Sequence, residues 1–421
     1  MLDIFEARES VVRSYCRSFP VLFEAAEGAF LFDTQGRRYI DFFCGAGTMN
    51  YGHNHPSMKR AIIDYMEGNG IIHSLDLATC AKRRFLEKFV SVILEPRELD
   101  YKVQFVGPTG ANAVEAALKL ARLVTRRSHV IAFTRAYHGL SAGALSVTAD
   151  SFYRNRAYFN RSDVSFMPYD GYFGESVDTI EYLRRFLEDR SSGIDLPAAV
   201  IVETVQAEGG VNVARKEWLR SLEALCLEHG ILLVVDDIQV GCGRTGGFFS
   251  FEAAGIKPDI VTLSKAISGF GLPMSIVLFK KELDQWKPGE HTGTFRGNNL
   301  AFVTGAVALE PWHNGEIAQT VAERSAILAQ ELGTIANDYV QLSPRVRGLG
   351  LIFGLQLGPP KIAQSVASAS FARGVIIELC GQHRDVLKFL PPLTIEPSVL
   401  RDGLGRIREA IDEVSKSAAS S

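Results

Sequence analysis

Residues 231–237 read Ile-Leu-Leu-Val-Val-Asp-Asp, a continuous aliphatic run that ends in two adjacent carboxylates. A strand without polar alternation is typical of a parallel sheet, in which both faces of each strand are buried. Five similar apolar runs occupy residues 103–106, 130–133, 198–202, 259–263 and 275–279. Amphipathic stretches at 113–124 and 218–227 lie between them and predict helices. This alternation predicts an α/β fold with right-handed crossovers.

The two ends of the chain differ from this alternating middle. Residues 29–32 and 39–42 are apolar and flank the turn sequence Asp33-Thr34-Gln35-Gly36, which predicts a hairpin. Long helical stretches beyond residue 310 precede apolar runs at 351–355, 374–379 and 387–390. We therefore expect a large, mainly parallel sheet domain flanked by helices over residues 51–310. A smaller α+β domain would be built from both termini, residues 1–50 and 311–421.

The composition argues against several classes of protein. The 421 residues include 45 Lys+Arg and 48 Asp+Glu, and the resulting net charge of −3 disfavours a nucleic-acid-binding surface. No run of about 18 apolar residues predicts a membrane-spanning helix, and the N-terminal sequence lacks the pattern of a secretory signal. None of the six cysteines forms a C-x-x-C pair. Reduced thiols in a cytoplasmic protein are therefore the expectation.

Two positions next to apolar strands are candidates for chemistry. Asp236 and Asp237 end the central run, where a carboxylate is costly unless it meets a cation. One of them could bind a ligand at the carboxyl edge of the sheet, although both could simply cap the next turn. Lys265 follows the run at 259–263, and partial burial there would lower its pKa and allow the amine to attack a carbonyl group. Its ammonium group could instead reach water at the end of a buried stem.

Residues 107–112, Gly-Pro-Thr-Gly-Ala-Asn, connect a predicted strand to a predicted helix. Backbone N–H groups at a helix start suit a phosphate, but an ordinary turn fits the sequence equally well. The loop lacks the lysine of a nucleotide-binding P-loop, which argues against a nucleoside triphosphate. The G-x-G-x-x-G pattern at 241–246 is not followed by a predicted helix, which argues against a dinucleotide site. His53 and His55 have no third ligand at a suitable spacing, so no metal site is predicted.

Each of these signals is weak alone, but together they describe one ligand. The ligand would place a phosphate at Gly110, a cationic ring nitrogen opposite Asp236 and an aldehyde within reach of Lys265. Pyridoxal 5'-phosphate has all three groups.

Over almost its whole length the sequence resembles the class III (ω-amino-acid) aminotransferases, pyridoxal-phosphate-dependent transferases of fold type I. The segments that support this resemblance are residues 51–56, 109–113, 137–139, 203–210, 236–239, 243–246, 264–265 and 294–298. Within the family, the runs at 101–105, 286–291 and 388–393 are most similar to the diaminobutyrate–2-oxoglutarate aminotransferases of ectoine biosynthesis.

The resemblance implies a role for each matching residue. Lys265 would bind the cofactor covalently as a Schiff base, and Asp236 would pair with its pyridinium nitrogen. Thr109, Gly110 and Ala111 would hold the phosphate, joined by Thr294 of a second subunit. The remaining implied residues are Tyr137 stacked on the ring, His138 beside it, Gln239 at the ring hydroxyl, and Glu203, Glu208 and Lys388 on the substrate side.

The sequence departs from the family pattern at two positions. Many relatives have an arginine that binds the substrate α-carboxylate where this chain has Lys388, and a lysine lacks the bidentate fork of arginine. Ornithine-type relatives have an arginine where this chain has Leu140, so that position cannot bind a distal carboxylate here.

The activity implied by the resemblance is the interconversion of 2,4-diaminobutyrate plus 2-oxoglutarate with aspartate 4-semialdehyde plus glutamate. Alternatives on the same fold are an ornithine, lysine or 4-aminobutyrate aminotransferase and an aminomutase. The partners would be a small amino donor and a 2-oxo acid acceptor, without nucleic acid or membrane. The family also implies a homodimer with shared active sites, with a tetramer left open. A regulator that only binds the cofactor would need an added DNA-binding or carrier segment, and none is visible in the sequence.

Overall fold

The computed structural model describes residues 2–155 and 163–419. Its helices, in chain order, are α1 (Asp3–Arg8), α2 (Tyr15–Ser18), α3 (Cys44–Gly47, a single left-handed turn), α4 (Pro56–Glu67), α5 (Cys80–Lys88), α6 (Gly110–Thr125), α7 (Ala142–Val147), α8 (Thr179–Glu188), α9 (Lys216–Glu228), α10 (Asn299–Ala308), α11 (Glu316–Asp338), α12 (Pro360–Ala372) and α13 (Pro397–Ala419).

The strands, also in chain order, are β1 (Phe23–Glu27), β2 (Phe30–Asp33), β3 (Arg38–Asp41), β4 (Tyr101–Phe105), β5 (Val130–Phe133), β6 (Val164–Met167), β7 (Ala199–Val202), β8 (Val205–Gln206), β9 (Asn212–Val213), β10 (Leu232–Asp236), β11 (Ile260–Leu263), β12 (Ile276–Lys280), β13 (Arg345–Leu349), β14 (Ile352–Gln356), β15 (Val375–Ile376), β16 (Glu378–Cys380) and β17 (Val386–Phe389).

The central sheet has seven strands in the order β4-β12-β11-β10-β7-β5-β6. β10 pairs in parallel with β11 and β7, and β5 pairs in parallel with β6 and β7. The prediction of a mainly parallel α/β sheet is therefore confirmed. The exception is β12, which runs antiparallel to both of its neighbours. The connection from β11 to β12 contains a short 3₁₀ turn at Lys265–Ser268 in place of the helix that usually crosses between parallel strands.

Helix α6 packs one face against this sheet. The residues predicted to form its apolar face, Val114, Ala117, Leu118 and Ala121, are all buried. Thr109 caps the helix because its hydroxyl oxygen accepts a hydrogen bond from the backbone N–H of Asn112 (3.4 Å). The cap fixes the start of the helix at Gly110, next to the carboxyl ends of β10 and β7.

The two ends of the chain meet in a second sheet. β2 and β3 form the predicted hairpin, and Asp33 Oδ1 accepts hydrogen bonds from the backbone N–H groups of Gln35 and Arg37 (both 2.9 Å) within its turn. β3 also pairs in parallel with β15, and the nearby sheet β13-β14-β17-β16 completes the C-terminal part. The boundaries at residues 50 and 310 remain predictions, because one buried cluster contains side chains from all three segments.

Arg244 connects the two parts of the chain from within the core. Its side chain is fully buried, donates hydrogen bonds to the carbonyl oxygens of Leu351 (3.0 Å) and Pro391, and donates to Asn50 Oδ1 (2.6 Å). Asn50 in turn donates to the carbonyl oxygen of Cys242 (2.9 Å). A planar guanidinium group can satisfy several such acceptors at once, which a lysine cannot do in the same geometry.

In the described ranges, no helix has both the length and the apolar character needed to cross a lipid bilayer.

We predict that Arg244→Met lowers the free energy of unfolding by about 3 kcal/mol or more, because it leaves buried acceptors without a donor. Urea denaturation followed by circular dichroism measures the change. Arg83→Met is the matched control, because Arg83 is exposed and its one ion pair among the described residues is with Glu87, and exposed pairs contribute about 0–1 kcal/mol. Equal effects of the two substitutions would contradict the structural role of Arg244.

Candidate active site

A cavity of about 370 Å³ opens at the carboxyl edge of the central sheet. Asp236 ends β10, Glu203 follows β7, and Lys265 lies two residues beyond the end of β11. The parallel pairing of these strands brings the three side chains to one edge, which is where α/β enzymes bind ligands. Of the residues predicted for the site, those that line the cavity are Gly110, Ala111, Tyr137, His138, Glu203, Glu208, Asp236, Gln239 and Lys265.

Asp236 is buried and held by donors on several sides. His138 Nδ1 lies 2.7 Å from its Oδ2, while the Thr262 hydroxyl and the backbone N–H of Ile238 donate to its Oδ1 (both 3.2 Å). Burial opposes protonation of His138, but the hydrogen bond and charge of Asp236 outweigh it and raise the pKa of the imidazole. The structure therefore provides the compensation that a buried carboxylate requires. His138 Nε2 is buried without a partner among the described residues.

Lys265 places an amine in the same cavity. Its backbone has φ +49°, a left-handed conformation that is uncommon for a lysine and is often found at functional sites. Within the part of the chain that the structure describes, its amine forms no hydrogen bond or ion pair. Burial lowers the pKa of Lys265, assisted by the charge of Lys388 and opposed by that of Glu208. A lowered pKa increases the fraction of neutral, nucleophilic amine.

The N-terminus of α6 forms one wall of the cavity. The N–H groups of Gly110 and Ala111 belong to its first turn, where a helix offers no carbonyl acceptors. A β-carbon built on Gly110 would lie 3.0 Å from the side chain of Ile238, and one on Gly139 would lie 2.8 Å from the β-carbon of Ala111. The wall is therefore tightly packed at these two glycines, and it presents N–H groups that the helix itself leaves unpaired, as an anion site needs.

Gln239 has one buried group without a partner. Its amide nitrogen donates to the carbonyl oxygen of Ala46 (2.8 Å) and to Glu208 Oε1 (3.2 Å). Its amide oxygen is buried and accepts no hydrogen bond within residues 2–155 and 163–419. Ala46 is itself in the left-handed turn α3, with φ +57°. A ligand hydroxyl would satisfy the free acceptor of Gln239.

Glu203 and Tyr137 form another part of the cavity wall. The backbone N–H of Tyr137 donates to Glu203 Oε1 (2.9 Å). Burial raises the pKa of Glu203 to about 8, although the charge of His138 opposes the shift. The Tyr137 ring meets that of Tyr153 with centroids 5.7 Å apart. This wall therefore combines aromatic rings with a carboxyl group that is largely protonated at neutral pH.

Two further ionisable side chains, Lys388 and Glu378, form a cluster with Glu208. Lys388 Nζ is 2.6 Å from Glu208 Oε1 and 3.0 Å from Glu378 Oε2, although the second contact lacks the angles of a hydrogen bond. Burial opposes ionisation of Glu208, but Lys388 and Lys265 outweigh it and lower its pKa. Burial raises the pKa of Glu378 despite the charge of Lys388. Lys388 itself does not line the cavity, and Glu208 stands between the two.

Two other predicted residues do not line this cavity either. Thr109 is exposed and its hydroxyl caps α6. Thr294 is exposed, and its carbonyl oxygen lies 3.1 Å from His73 Nε2. Their roles remain predictions, and for Thr294 the predicted role requires a second subunit.

Several residues in or next to the cavity have no role predicted from the sequence. Tyr15, Ala46 and Tyr153 line it, and Glu378 contacts Lys388 behind it. The small-residue run at 44–47 is the one sequence signal of a close backbone approach near Ala46. Nothing in the local sequence distinguishes Tyr15, Tyr153 or Glu378 from surface residues, because their positions depend on contacts between distant segments.

The residues present fit pyridoxal phosphate. The free N–H groups of Gly110 and Ala111 suit its phosphate, and Asp236 suits a protonated ring nitrogen. The unpartnered oxygen of Gln239 suits its ring hydroxyl, and the amine of Lys265 suits its aldehyde. All of these groups line a single cavity.

The raised pKa of Glu203 predicts a pH dependence of stability. Between the ordinary carboxyl pKa and about 8, the folded cofactor-free protein retains a proton that the unfolded chain has lost. Its free energy of unfolding therefore falls as pH rises, by at most about 1.4 kcal/mol per pH unit. Glu203→Gln removes this slope. The melting temperature of the variant minus that of wild type should therefore increase from pH 5 to pH 8.

Differential scanning calorimetry of the cofactor-free proteins measures this difference. Glu217→Gln is the control, because the Glu217 side chain is exposed and its substitution should leave the pH dependence of wild type in place. Parallel melting curves for wild type and Glu203→Gln would contradict the assignment.

Comparisons with known proteins identify the family. A family model described as aminotransferase class-III matches residues 12–411. A protein of Wolinella succinogenes is 61% identical over 98% of this chain and 96% of its own length. A protein of Bordetella parapertussis is 55% identical over 97% of this chain and 95% of its own length. Both relatives are named diaminobutyrate–2-oxoglutarate transaminase.

Solved structures agree on the fold. The ornithine aminotransferase from Toxoplasma gondii superposes with a TM-score of 0.86 at 25% identity, covering 99% of this chain and 95% of that one. A transaminase from the marine bacterium Virgibacillus superposes with a TM-score of 0.88 at 22% identity, covering 99% of both chains. Because the family match and the alignments extend over nearly the whole sequence, this chain belongs to the class-III aminotransferases and is a pyridoxal-phosphate-dependent enzyme.

Proposed function

We propose that the enzyme exchanges the terminal amine of 2,4-diaminobutyrate for the oxo group of 2-oxoglutarate, giving aspartate 4-semialdehyde and glutamate. The observation that supports this substrate pair is the 61% identity, over nearly full length, to a protein named for it. The cavity is consistent with it, because Glu208 and Lys388 place opposite charges near Lys265. The far end of 2,4-diaminobutyrate also has both an ammonium and a carboxylate group.

Pyridoxal phosphate supplies an electrophilic aldehyde and a ring that accepts electrons from the substrate carbon. We propose that Lys265 binds this group and that its Nζ moves the proton between substrate and cofactor. Asp236, oriented by His138, would keep the ring nitrogen protonated. Gly110 and Ala111 would bind the phosphate, and Gln239 would accept a hydrogen bond from the ring hydroxyl. These proposed roles rest on the positions of the residues in the cavity and on their chemical complementarity to the cofactor.

The remaining residues would shape the substrate side. Tyr137 would stack on the cofactor ring, with Glu203 held against its backbone N–H. Glu208 would meet the charged end of the substrate, and Lys388 would act on that end through its contact with Glu208. Leu140, which also lines the cavity, offers no charge to a distal carboxylate.

We also propose that the enzyme is a homodimer whose subunits share their active sites. Apolar side chains are strongly exposed near both the N-terminal segment and Thr294, including Val11 (82%), Val12 (85%) and Phe295 (64%). Apolar surface of this kind is typical of a protein interface. A second copy that covers it would bring its own Thr294 toward the phosphate site.

Lys265→Ala should abolish the visible absorbance of the bound cofactor, because the covalent link is lost. Turnover should fall by about 10²–10⁴-fold or more, because the proton carrier is also lost. Absorbance spectra and steady-state rates of the purified protein measure both effects. Lys281→Ala is the control, because Lys281 is exposed and pairs with Asp100; a fully active Lys265→Ala enzyme would refute the mechanism.

The substrate pair is tested by assaying 2,4-diaminobutyrate, ornithine, lysine and 4-aminobutyrate, each with 2-oxoglutarate and with pyruvate. We expect the highest kcat/KM for 2,4-diaminobutyrate with 2-oxoglutarate. A higher kcat/KM with any other donor would overturn the proposed substrate. Turnover of the donor without any 2-oxo acid would instead indicate an aminomutase.

A further inference from the structure

We propose that Glu378 is the permanent counter-ion of Lys388 and thereby leaves the carboxylate of Glu208 available to bind the non-reacting ammonium group of a diamino acid. The inference rests on the proposed function and deepens it, because it explains how the enzyme selects a diamine over a monoamine. Glu378 would act through Lys388 and Glu208 and is therefore a positioning residue.

The positions of the three groups determine their order from the cavity outward. Glu208 lines the cavity, and its side chain is 27% exposed. Lys388 is fully buried and contacts Glu208 Oε1 at 2.6 Å. Glu378 lies opposite Lys388 on the neighbouring strand, with its Oε2 3.0 Å from Lys388 Nζ, and its side chain is 10% exposed. Of the three groups, only Glu208 lines the cavity.

The charges of this cluster do not balance. Two carboxylates share one ammonium group, and no other Lys, Arg or His pairs with either carboxylate among the described residues. Buried charges require compensation. Apart from Lys265, whose charge also acts on both carboxylates, Lys388 is their one cation among the described residues, so a carboxylate is left to bind an ammonium group of a ligand. If Glu378 neutralises Lys388, the surplus charge is on Glu208, where an incoming ammonium group can reach it.

The surroundings support an unsatisfied acceptor behind the cavity. Glu378 Oε2 is buried and accepts no hydrogen bond of proper geometry from any residue that the structure describes. Burial raises the pKa of the Tyr15 phenol, and the charges of Glu378 and Glu208 raise it further. Tyr15 lines the cavity, so the negative charge of Glu378 and Glu208 acts on the part of the cavity where a substrate would bind.

The acceptor has the opposite requirement. 2-Oxoglutarate has two carboxylates and no ammonium group, so it needs a cation and is repelled by free carboxylates. Without Glu378, Lys388 would be less neutralised and would hold Glu208 more strongly. Loss of Glu378 should therefore weaken a diamine donor while leaving the acceptor equal or favoured. If Glu378 had a purely structural role, its loss would weaken the reactions of both the donor and the acceptor.

The pair 2,4-diaminobutyrate and 4-aminobutyrate isolates the interaction, because the two differ only in the 2-ammonium group. We expect Glu378→Gln to lower the single-turnover efficiency of the holoenzyme with 2,4-diaminobutyrate by about 10- to 100-fold, as for the loss of a hydrogen bond to a charged group. Efficiency with 4-aminobutyrate, and that of the second half-reaction with 2-oxoglutarate, should change by less than about threefold. Glu378→Asp should restore part of the donor preference.

Two further measurements separate positioning from general damage. Calorimetric titration of the aminated enzyme, with which neither donor reacts, should show weaker binding of 2,4-diaminobutyrate to Glu378→Gln and little change for 4-aminobutyrate. Asp385→Asn is the matched control. Asp385 is a buried carboxylate of the same hairpin, but it accepts a hydrogen bond from Gln356 and does not contact Lys388. It should leave the ratio between the two donors as in wild type.

An equal loss in Glu378→Gln with both donors and with the acceptor would overturn the inference, and so would a wild-type enzyme that does not prefer the diamine. If wild type instead prefers ornithine or lysine to 2,4-diaminobutyrate, the proposed substrate fails while the inference is still tested. The comparison is then made with 5-aminopentanoate or 6-aminohexanoate, which lack the 2-ammonium group of those donors. Failure of the substrate and failure of the inference are thus distinguishable.

Discussion

The hydrogen bond between His138 and Asp236 is the interaction on which the rest of the site depends. It stabilises a carboxyl group at the buried end of β10, where an isolated carboxylate would be strongly destabilised. The compensation comes from a loop that follows a different strand, so the site exists only when the parallel sheet is assembled. The same edge of the sheet then receives Lys265 from the neighbouring strand.

Burial has opposite effects on the groups around this carboxylate, and those effects suit their chemistry. It lowers the pKa of Lys265, which favours a neutral amine, and raises that of Glu203, which favours a neutral acid. Lys388 counteracts burial at Glu208 and keeps that carboxylate charged. The cavity therefore has one basic amine, one protonated acid and one ionised acid within a small volume. Opposite pKa shifts of neighbouring groups are typical of sites that move protons.

The backbone is strained where the cavity is tightest. Lys265 and Ala46 both adopt left-handed conformations, and Gly139 permits a contact with Ala111 that a side chain would block. Conformations of this kind persist only when the surrounding packing enforces them. Arg244 contributes to that packing by hydrogen-bonding to three distant segments at once. Local geometry at the site is therefore maintained by the whole core.

Apolar periodicity is a local property, and from it the sequence alone predicts six of the seven strands of the central sheet and the helices α6 and α9. The sequence also indicates Gly110, Asp236 and Lys265, because each lies at or just beyond the end of a predicted strand. The resemblance added Gln239, Glu208 and the other site residues through family motifs. Three features are visible only in the folded chain: β12 runs antiparallel, Glu208 separates Lys388 from the cavity, and Glu378 contacts Lys388 across neighbouring strands. These facts depend on contacts between segments far apart in the chain, and no local pattern of residues specifies such contacts.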